Sequence, residues 1–302
     1  MAVLTRLVAM LAVVLAGTGL RAVGVLDADR TARLNALAYY VALPALIFTA
    51  TYDRSVGALL SPALLAGLLI VPVATAALAW LVHRDRPSRA RRSVAVVQSY
   101  HSNLGYLGLP LVAATFGGEV TAIASVILGI VSLVQVPLTV LVLVSLNSAD
   151  ARVGRELRAV ATNPVLVTLV VGLAVGSVGL GVPPTVTAGL DAVGGLALPL
   201  ALLCVGASLD LDVPSIDVGA TGAVVGLKIA LMPAIAWIVL SALAVDPATL
   251  TAGVVMFGTP TAVSTFVYSN ELGGDERFAS LNVFVTTVAS IGSLFVLIDL
   301  IG

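Results

Sequence analysis

Apolar side chains in this chain gather into long stretches of about 20 residues, the length of helix that crosses a bilayer, with short polar segments between them. Ten such stretches run approximately over 4–22, 33–51, 57–81, 94–116, 120–145, 162–179, 187–208, 218–241, 248–270 and 278–300. The run VILGIVSLVQVPLTVLVLV at 126–144 is nearly continuous hydrocarbon, whereas strands of a membrane barrel alternate polar with apolar positions over about 10 residues. The pattern predicts an all-α membrane protein of ten transmembrane helices. The first stretch has one basic residue in its n-region, Arg6, and no A-x-A site before the charged segment, so it reads as helix 1 rather than as a cleaved signal peptide.

Composition agrees. Of the 302 residues 59% are hydrophobic and 10% charged, with a mean hydropathy of +1.12, against about 25% charged in an ordinary globular chain. A water-soluble domain and a disordered chain are excluded. The 28 glycines have no period of three, and the one cysteine, Cys204, reads as packing, so neither a collagen-like fibre nor a disulfide scaffold is indicated. His83, His101 and Cys204 make no metal-ligand set, and no cofactor is implied. The acidic residues form no run and the net charge is −1, which argues against nucleic acid as a partner.

Basic residues set the orientation, because short cytoplasmic loops are enriched in Lys and Arg. With the N-terminus outside, the inner loops hold twelve of them: Arg21, Arg30, Arg33, Arg84, Arg86, Arg89, Arg91, Arg92, Arg152, Arg155, Arg158 and Arg277. Only Arg6 and Arg54 remain outside, and Lys228 lies within helix 8. This predicts a multi-pass protein of the cell membrane with both termini outside. The polar linker at 147–158 divides the chain into a first five-helix half, 1–146, and a second, 159–302.

The halves resemble each other. At an offset of 155 the pairs Gly17/Gly172, Gly24/Gly179 and Pro44/Pro199 coincide; further on, at 150, Gly108–Phe116 aligns with Gly258–Phe266 and Pro110 with Pro260. Repeats of five helices lie in opposite orientations across the membrane, the architecture of many secondary transporters, whose substrate sites sit where the repeats meet.

Proline breaks a helical ladder, and in lipid the freed groups must find partners inside the protein. Pro110 follows a polar segment, Gln98–Asn103, and Pro260 stands in Gly258-Thr259-Pro260-Thr261, where Thr259 suits an N-cap and Pro260 the first helical position. Helices 4 and 9 are therefore expected to be broken and to cross. Their two half-helix N-termini would present bare N–H groups to an anion. Asn103 can donate and accept toward a carboxylate, and Thr259 and Thr261 add hydroxyls. Lys228 is the one charged residue deep in a span and a candidate for holding the anion, for pairing with Asp53 or Asp210, or for snorkelling. His101 is a candidate coupling residue, since imidazole can carry a proton. Gln135, Thr286 and Thr287 are weaker candidates, and Pro44, Pro72, Pro137, Pro199 and Pro233 read as kinks or packing features.

The phrases LPALIF at 43–48, SNLGYLGLPL at 102–111, NPVLVTLVVGL at 163–173, ALPLALLCVGASL at 197–209, LKIALMP at 227–233 and GTPTAVSTFVYSNELGGDERFAS at 258–280, followed by TTVAS, carry a resemblance over the whole chain. In their order and spacing it resembles the auxin efflux carrier family, which includes plant PIN-type auxin exporters and bacterial malonate or malate carriers. The resemblance implies two inverted repeats, a scaffold of helices 1, 2, 6 and 7, a transport part from the remainder, elevator-like alternating access and homodimers through the scaffold. It also implies that Asn103 contacts substrate and that Pro110 and Pro260 mark the crossover. Where many relatives read Asn-Thr-Gly this chain has Asn103-Leu104-Gly105, so a small organic-acid anion is a safer substrate class than auxin.

A carboxylate transporter is thus the leading reading. A sodium-coupled bile-acid-type symporter is the alternative, but no Asp or Glu lies deep within a span to hold the cation. A membrane receptor lacks an output domain, and an enzyme would have only Ser99 or Ser102 beside His101 as nucleophile and base.

Overall fold

The computed structural model describes residues 2–149, 158, 162–207 and 217–301, with side chains from residue 9 onward in the first helix. Most of the 147–158 linker, including Arg152 and Arg155, lies outside the described residues, as does Asp210. Helices follow one another as α1 (Ala2–Ala22), α2 (Ala28–Thr51), α3 (Pro62–His83), α4 (Arg89–Gln98), α5 (Leu104–Thr115), α6 (Gly118–Asn147), α7 (Pro164–Ser177), α8 (Pro184–Ala207), α9 (Val218–Ala242), α10 (Pro247–Phe257), α11 (Ser264–Glu271) and α12 (Glu276–Ile301). Among the described residues α2, α3, α6, α8, α9 and α12 are long and apolar enough to span a membrane, and part of α1 with α5, α7 and α10 are shorter apolar helices. Outward faces are apolar too: Val170 and Ile238 are 66% exposed, the reverse of a water-soluble surface.

Helix starts are written in the sequence. Asp27, Ser88, Asn163, Asp217 and Asp246 each accept an amide of the first turn with the side chain, and Pro164 and Pro247 occupy the first helical position. Three helices contain a π-helical turn: Ala38–Ala42 in α2, Leu104–Gly108 in α5 and Gly226–Leu231 in α9. Each turn stands immediately before Leu43-Pro44, Leu109-Pro110 or Met232-Pro233. The proline ring collides with the carbonyl four residues back, and in each case a widened turn contains that carbonyl.

Compactness divides the chain differently from the two sequence halves. One unit comprises described residues of 1–61, 105–129 and 162–210; the other takes those of 62–104, 130–161 and 211–302. α6 supplies its first part to the former and its second to the latter.

Within the first unit α1 packs along Ala197–Ala207, the second half of α8. Glycine makes this approach possible, since a Cβ on Gly206 would land on the Val14 carbonyl and one on Gly17 on that of Leu203. Thr18 Oγ1 adds a 3.0 Å hydrogen bond to the Gly206 carbonyl. Leu43–Thr51 lies against α7 and the first half of α8, and Gly172 makes room for Thr51. Tyr39 stacks on Tyr106 at 5.4 Å, and Asn35 and Asn163 donate to their hydroxyls. Cys204 is buried as a free thiol.

In the second unit α3 lies against the latter half of α9, which also meets α10; Gly67 and Gly253 both receive Leu240. α4 packs on α3, α9, α11 and α12, and its Val96 and Val97, with Tyr100 just beyond its end, share a core with Val140, Leu143, Leu227 and Leu272.

Candidate functional site

Both interrupted helices meet inside the second unit. α4 stops at Gln98, where the N–H groups of Ser99 and Tyr100 turn back to Val96 and Val97. α10 stops at Phe257. The extended residues that follow pair as a two-stranded antiparallel bridge, Ser102 with Thr261. Asn103 N–H donates to Pro260 O at 2.9 Å, and Ala262 N–H donates to His101 O at 3.0 Å.

The proline symmetry expected from the sequence is corrected here. Pro110 is not at the crossing. It lies in the first helical turn of Leu109–Thr115, in the first unit, behind a π turn like those before Pro44 and Pro233. α4 and α10 start 158 residues apart, as do α6 and α12, so the register of 150 fails and Ser102 and Asn103 take the places opposite Thr261 and Pro260. The 155 register leads elsewhere to a matched conformation, with Gly24 at φ 75° and Gly179 at φ 67°.

Thr259 is corrected as well. Its hydroxyl donates to Met256 O at 2.8 Å, closing the end of α10. The next helix begins only at Ser264, after Val263, which makes no side-chain cap. Pro260 is held in the bridge and therefore does not open a helix.

The amides of the extended segments, up to the start of α5 at Leu104, have protein acceptors. Ser102 N–H donates to Gln135 Oε1 at 3.1 Å, Leu104 N–H to Ser102 O at 3.0 Å, and Thr261 N–H to Thr286 Oγ1 at 3.3 Å. Together with those of Asn103 and Ala262, five amides of the crossing have protein acceptors. This is what burial demands, since Ser102, Asn103 and Thr261 are at most 3% exposed. The hydroxyl of Thr261 turns to His101 O at 3.3 Å.

Lys228 is fully buried, and its Nζ donates to Phe257 O, the carbonyl end of α10, at 2.8 Å and lies 3.4 Å from Met232 Sδ. The latter sulfur also receives Ser102 Oγ at 3.6 Å. Snorkelling is thus replaced by a side-chain amine donating to the carbonyl end of a broken helix, and Asp53 pairs with Arg54. His101 Nδ1 lies 2.8 Å from Thr139 Oγ1, which also meets Tyr100 Oη. The hydroxyl of Ser99 donates to Ala95 O, so the described hydrogen bonds of Ser99 and Ser102 do not put their hydroxyls on the His101 ring.

Sequence reasoning passed over two further features. Gln98 donates to Thr265 and Ala279 O and accepts from Asn282, joining α4 to α11 and α12. At the helix starts Arg91 bridges Asp275 at 2.9 Å and Asp217 at 3.5 Å, and Arg86 approaches Asp217 at 3.9 Å. The Ala220 amide, with Arg86 and Arg91, holds the Asp217 carboxyl below the usual carboxylate range. Each polar group in an apolar run, Gln98, Gln135 and Asn282, was a signal, because polar atoms at that depth need partners.

The sequence model of the family described as membrane transport protein matches this chain twice, over residues 2–156 and 153–298. An uncharacterized transporter of Methanothermobacter thermautotrophicus is 26% identical over 301 residues, spanning 94% of this chain and 93% of that protein.

Proposed function

The chain belongs to the membrane transport protein family, the auxin efflux carrier family that its phrases resemble, and from that premise we propose that it is a secondary transporter of a small organic-acid anion. The observation that carries the reading is the buried bridge between Ser102 and Thr261, where two interrupted helices meet beside the Lys228 ammonium. A broken helix at membrane depth is tolerated where it lines a cavity or is held by protein, and such places are where transporters of this architecture bind their cargo.

In this reading ten membrane crossings form two inverted five-helix repeats, and the double family match and the paired Gly24 and Gly179 support it. Asn103 and Thr261 contact the carboxylate, Lys228 compensates its charge, Thr259 and Pro260 hold the crossing, and His101 is the coupling candidate. Binding exchanges bonds, because the crossing's amides already have protein partners. The second unit carries the site and moves in an elevator-like cycle, while the first, with helices 1, 2, 6 and 7, serves as scaffold and homodimer surface. Twelve inner basic residues favour both termini outside.

Counterflow of radiolabelled malonate and malate in proteoliposomes tests the assignment. Exchange that is saturable and inhibited by other small carboxylates is expected; binding without exchange, or no uptake of any carboxylate, overturns it.

A further inference from the structure

We propose that Gln135 is a positioning residue of the crossing, its carboxamide serving as the neighbouring strand that Ser102 lacks. In an antiparallel pair alternate residues turn their N–H and C=O to opposite edges. The groups of His101 and Asn103 face the 260–262 segment, as Asn103 N–H to Pro260 O and Ala262 N–H to His101 O attest. Those of Ser102 face the other way, where no second strand lies among the described residues. There Gln135 Oε1 accepts the Ser102 N–H at 3.1 Å, and Gln135 Nε2 donates to the Ser102 carbonyl at 3.2 Å.

A primary amide is the side-chain copy of a peptide group, offering one acceptor and a donor at the right spacing for both bonds. Gln135 is 4% exposed and Ser102 1%, so water is a poor substitute for either. Leu104 N–H also reaches the Ser102 carbonyl; the amide N–H is the group that depends on Gln135. Pro137, two residues on in α6, lies within the continuous helix, so the glutamine side chain is presented from an unbroken support. On the opposite segment Thr286 of α12 has the corresponding duty, accepting the Thr261 N–H. Each crossing strand is thus held on its outer edge by a side chain from the second helix after it.

This inference rests on the crossing being the transport site for its functional consequence, but not for its structural one, so two readouts separate them. Hydrogen exchange of the 99–104 backbone is measured in nanodisc-embedded wild type, Gln135→Leu and Gln135→Glu between pH 5.5 and 9, each against wild type at the same pH. Leucine removes both bonds. Glutamate, when protonated, accepts and donates as glutamine does; ionised, it only accepts and faces the Ser102 carbonyl with a lone pair. Expected is exchange at least about tenfold faster in Gln135→Leu at every pH, with Gln135→Glu at wild-type exchange at low pH and either rising toward the leucine variant with pH or staying at wild type throughout. Malonate counterflow should fall in the same pattern. Wild-type exchange in Gln135→Leu, or a glutamate variant as fast as the leucine one at all pH, overturns the clamp. Absence of malonate and malate counterflow in wild type, with the exchange pattern intact, overturns the transport reading and leaves the clamp standing.

Discussion

The backbone N–H of Asn103 donates to the carbonyl of Pro260 at 2.9 Å, so the residue proposed to touch substrate also ties the two interrupted helices together, and it does so through its main chain. Backbone and side chain can therefore be separated by mutation. Asn103→Ala keeps the tie and removes the carboxamide. Counterflow should fall about tenfold or more, the worth of one hydrogen bond to a charged partner, while the apparent unfolding midpoint in detergent stays within a few degrees of wild type. Normal counterflow would remove the Asn103 side chain from the site.

Pro110 and Pro260 should now differ. Pro260 lacks an N–H in the bridged strand, and Pro260→Ala lifts the bar to continuing α10 through the break. Pro110→Ala only allows a π turn in α5 to relax. Counterflow should drop at least severalfold in Pro260→Ala and remain within about twofold of wild type in Pro110→Ala, since proline opposes a continuous helix by about 3 kcal/mol and a relaxed turn matters much less. Equal loss in both would restore the paired-proline site.

That contrast also marks how far the sequence can be read. Long apolar runs and breaks near Asn103 and Pro260 follow from local chemistry, and both were legible. The register between the halves was not, because glycine and proline recur so often here that Gly108-Leu-Pro110 imitates Gly258-Thr-Pro260. Nor were the partners of buried groups. Nothing local says that Lys228 meets Phe257 O, 29 residues on, or that Arg91 meets Asp275, 184 residues on; such contacts depend on how helices pack. The same packing explains why the amides of the extended crossing segments find acceptors in α6 and α12.

Lys228 offers a test of charge against structure. Its ammonium satisfies the Phe257 carbonyl, and its stem fills core space. Lys228→Ala should lose about 2 kcal/mol or more through the cavity left behind, seen as a lowered unfolding midpoint. Lys228→Gln can still donate to Phe257 O without charge and should unfold near wild type, yet with a raised KM for malonate counterflow. An unchanged KM in Lys228→Gln would make Lys228 a brace only.

In the first unit the contact between Gly206 and Val14 sets the spacing of α1 and α8. Any Cβ there meets the Val14 carbonyl, which belongs to backbone and yields only by moving the helix. Gly206→Val should destabilise by about 1–3 kcal/mol, read as a lower midpoint at a fixed scan rate, with the KM of the surviving protein unchanged. A midpoint equal to wild type would show that the helices separate freely.

Asp217 sets the pH dependence of the helix-start network. Its carboxyl is held below the usual range by the Ala220 amide, Arg86 and Arg91, so its ionised form is favoured by folding. A lowered folded value means that the stabilisation is complete above the ordinary carboxylate value, about 3.9, and is lost as pH falls through the folded value. Asp217→Asn keeps the cap, since asparagine caps as well as aspartate, but loses the pairing with both arginines. Because Asp217 is 35% exposed in its side chain, that pairing is worth less than about 1 kcal/mol. The unfolding midpoint of Asp217→Asn should therefore lie slightly and constantly below wild type from pH 5 to 8, and the gap should close below about pH 4. A gap that changes between pH 5 and 8 would mean that another titrating group controls this network.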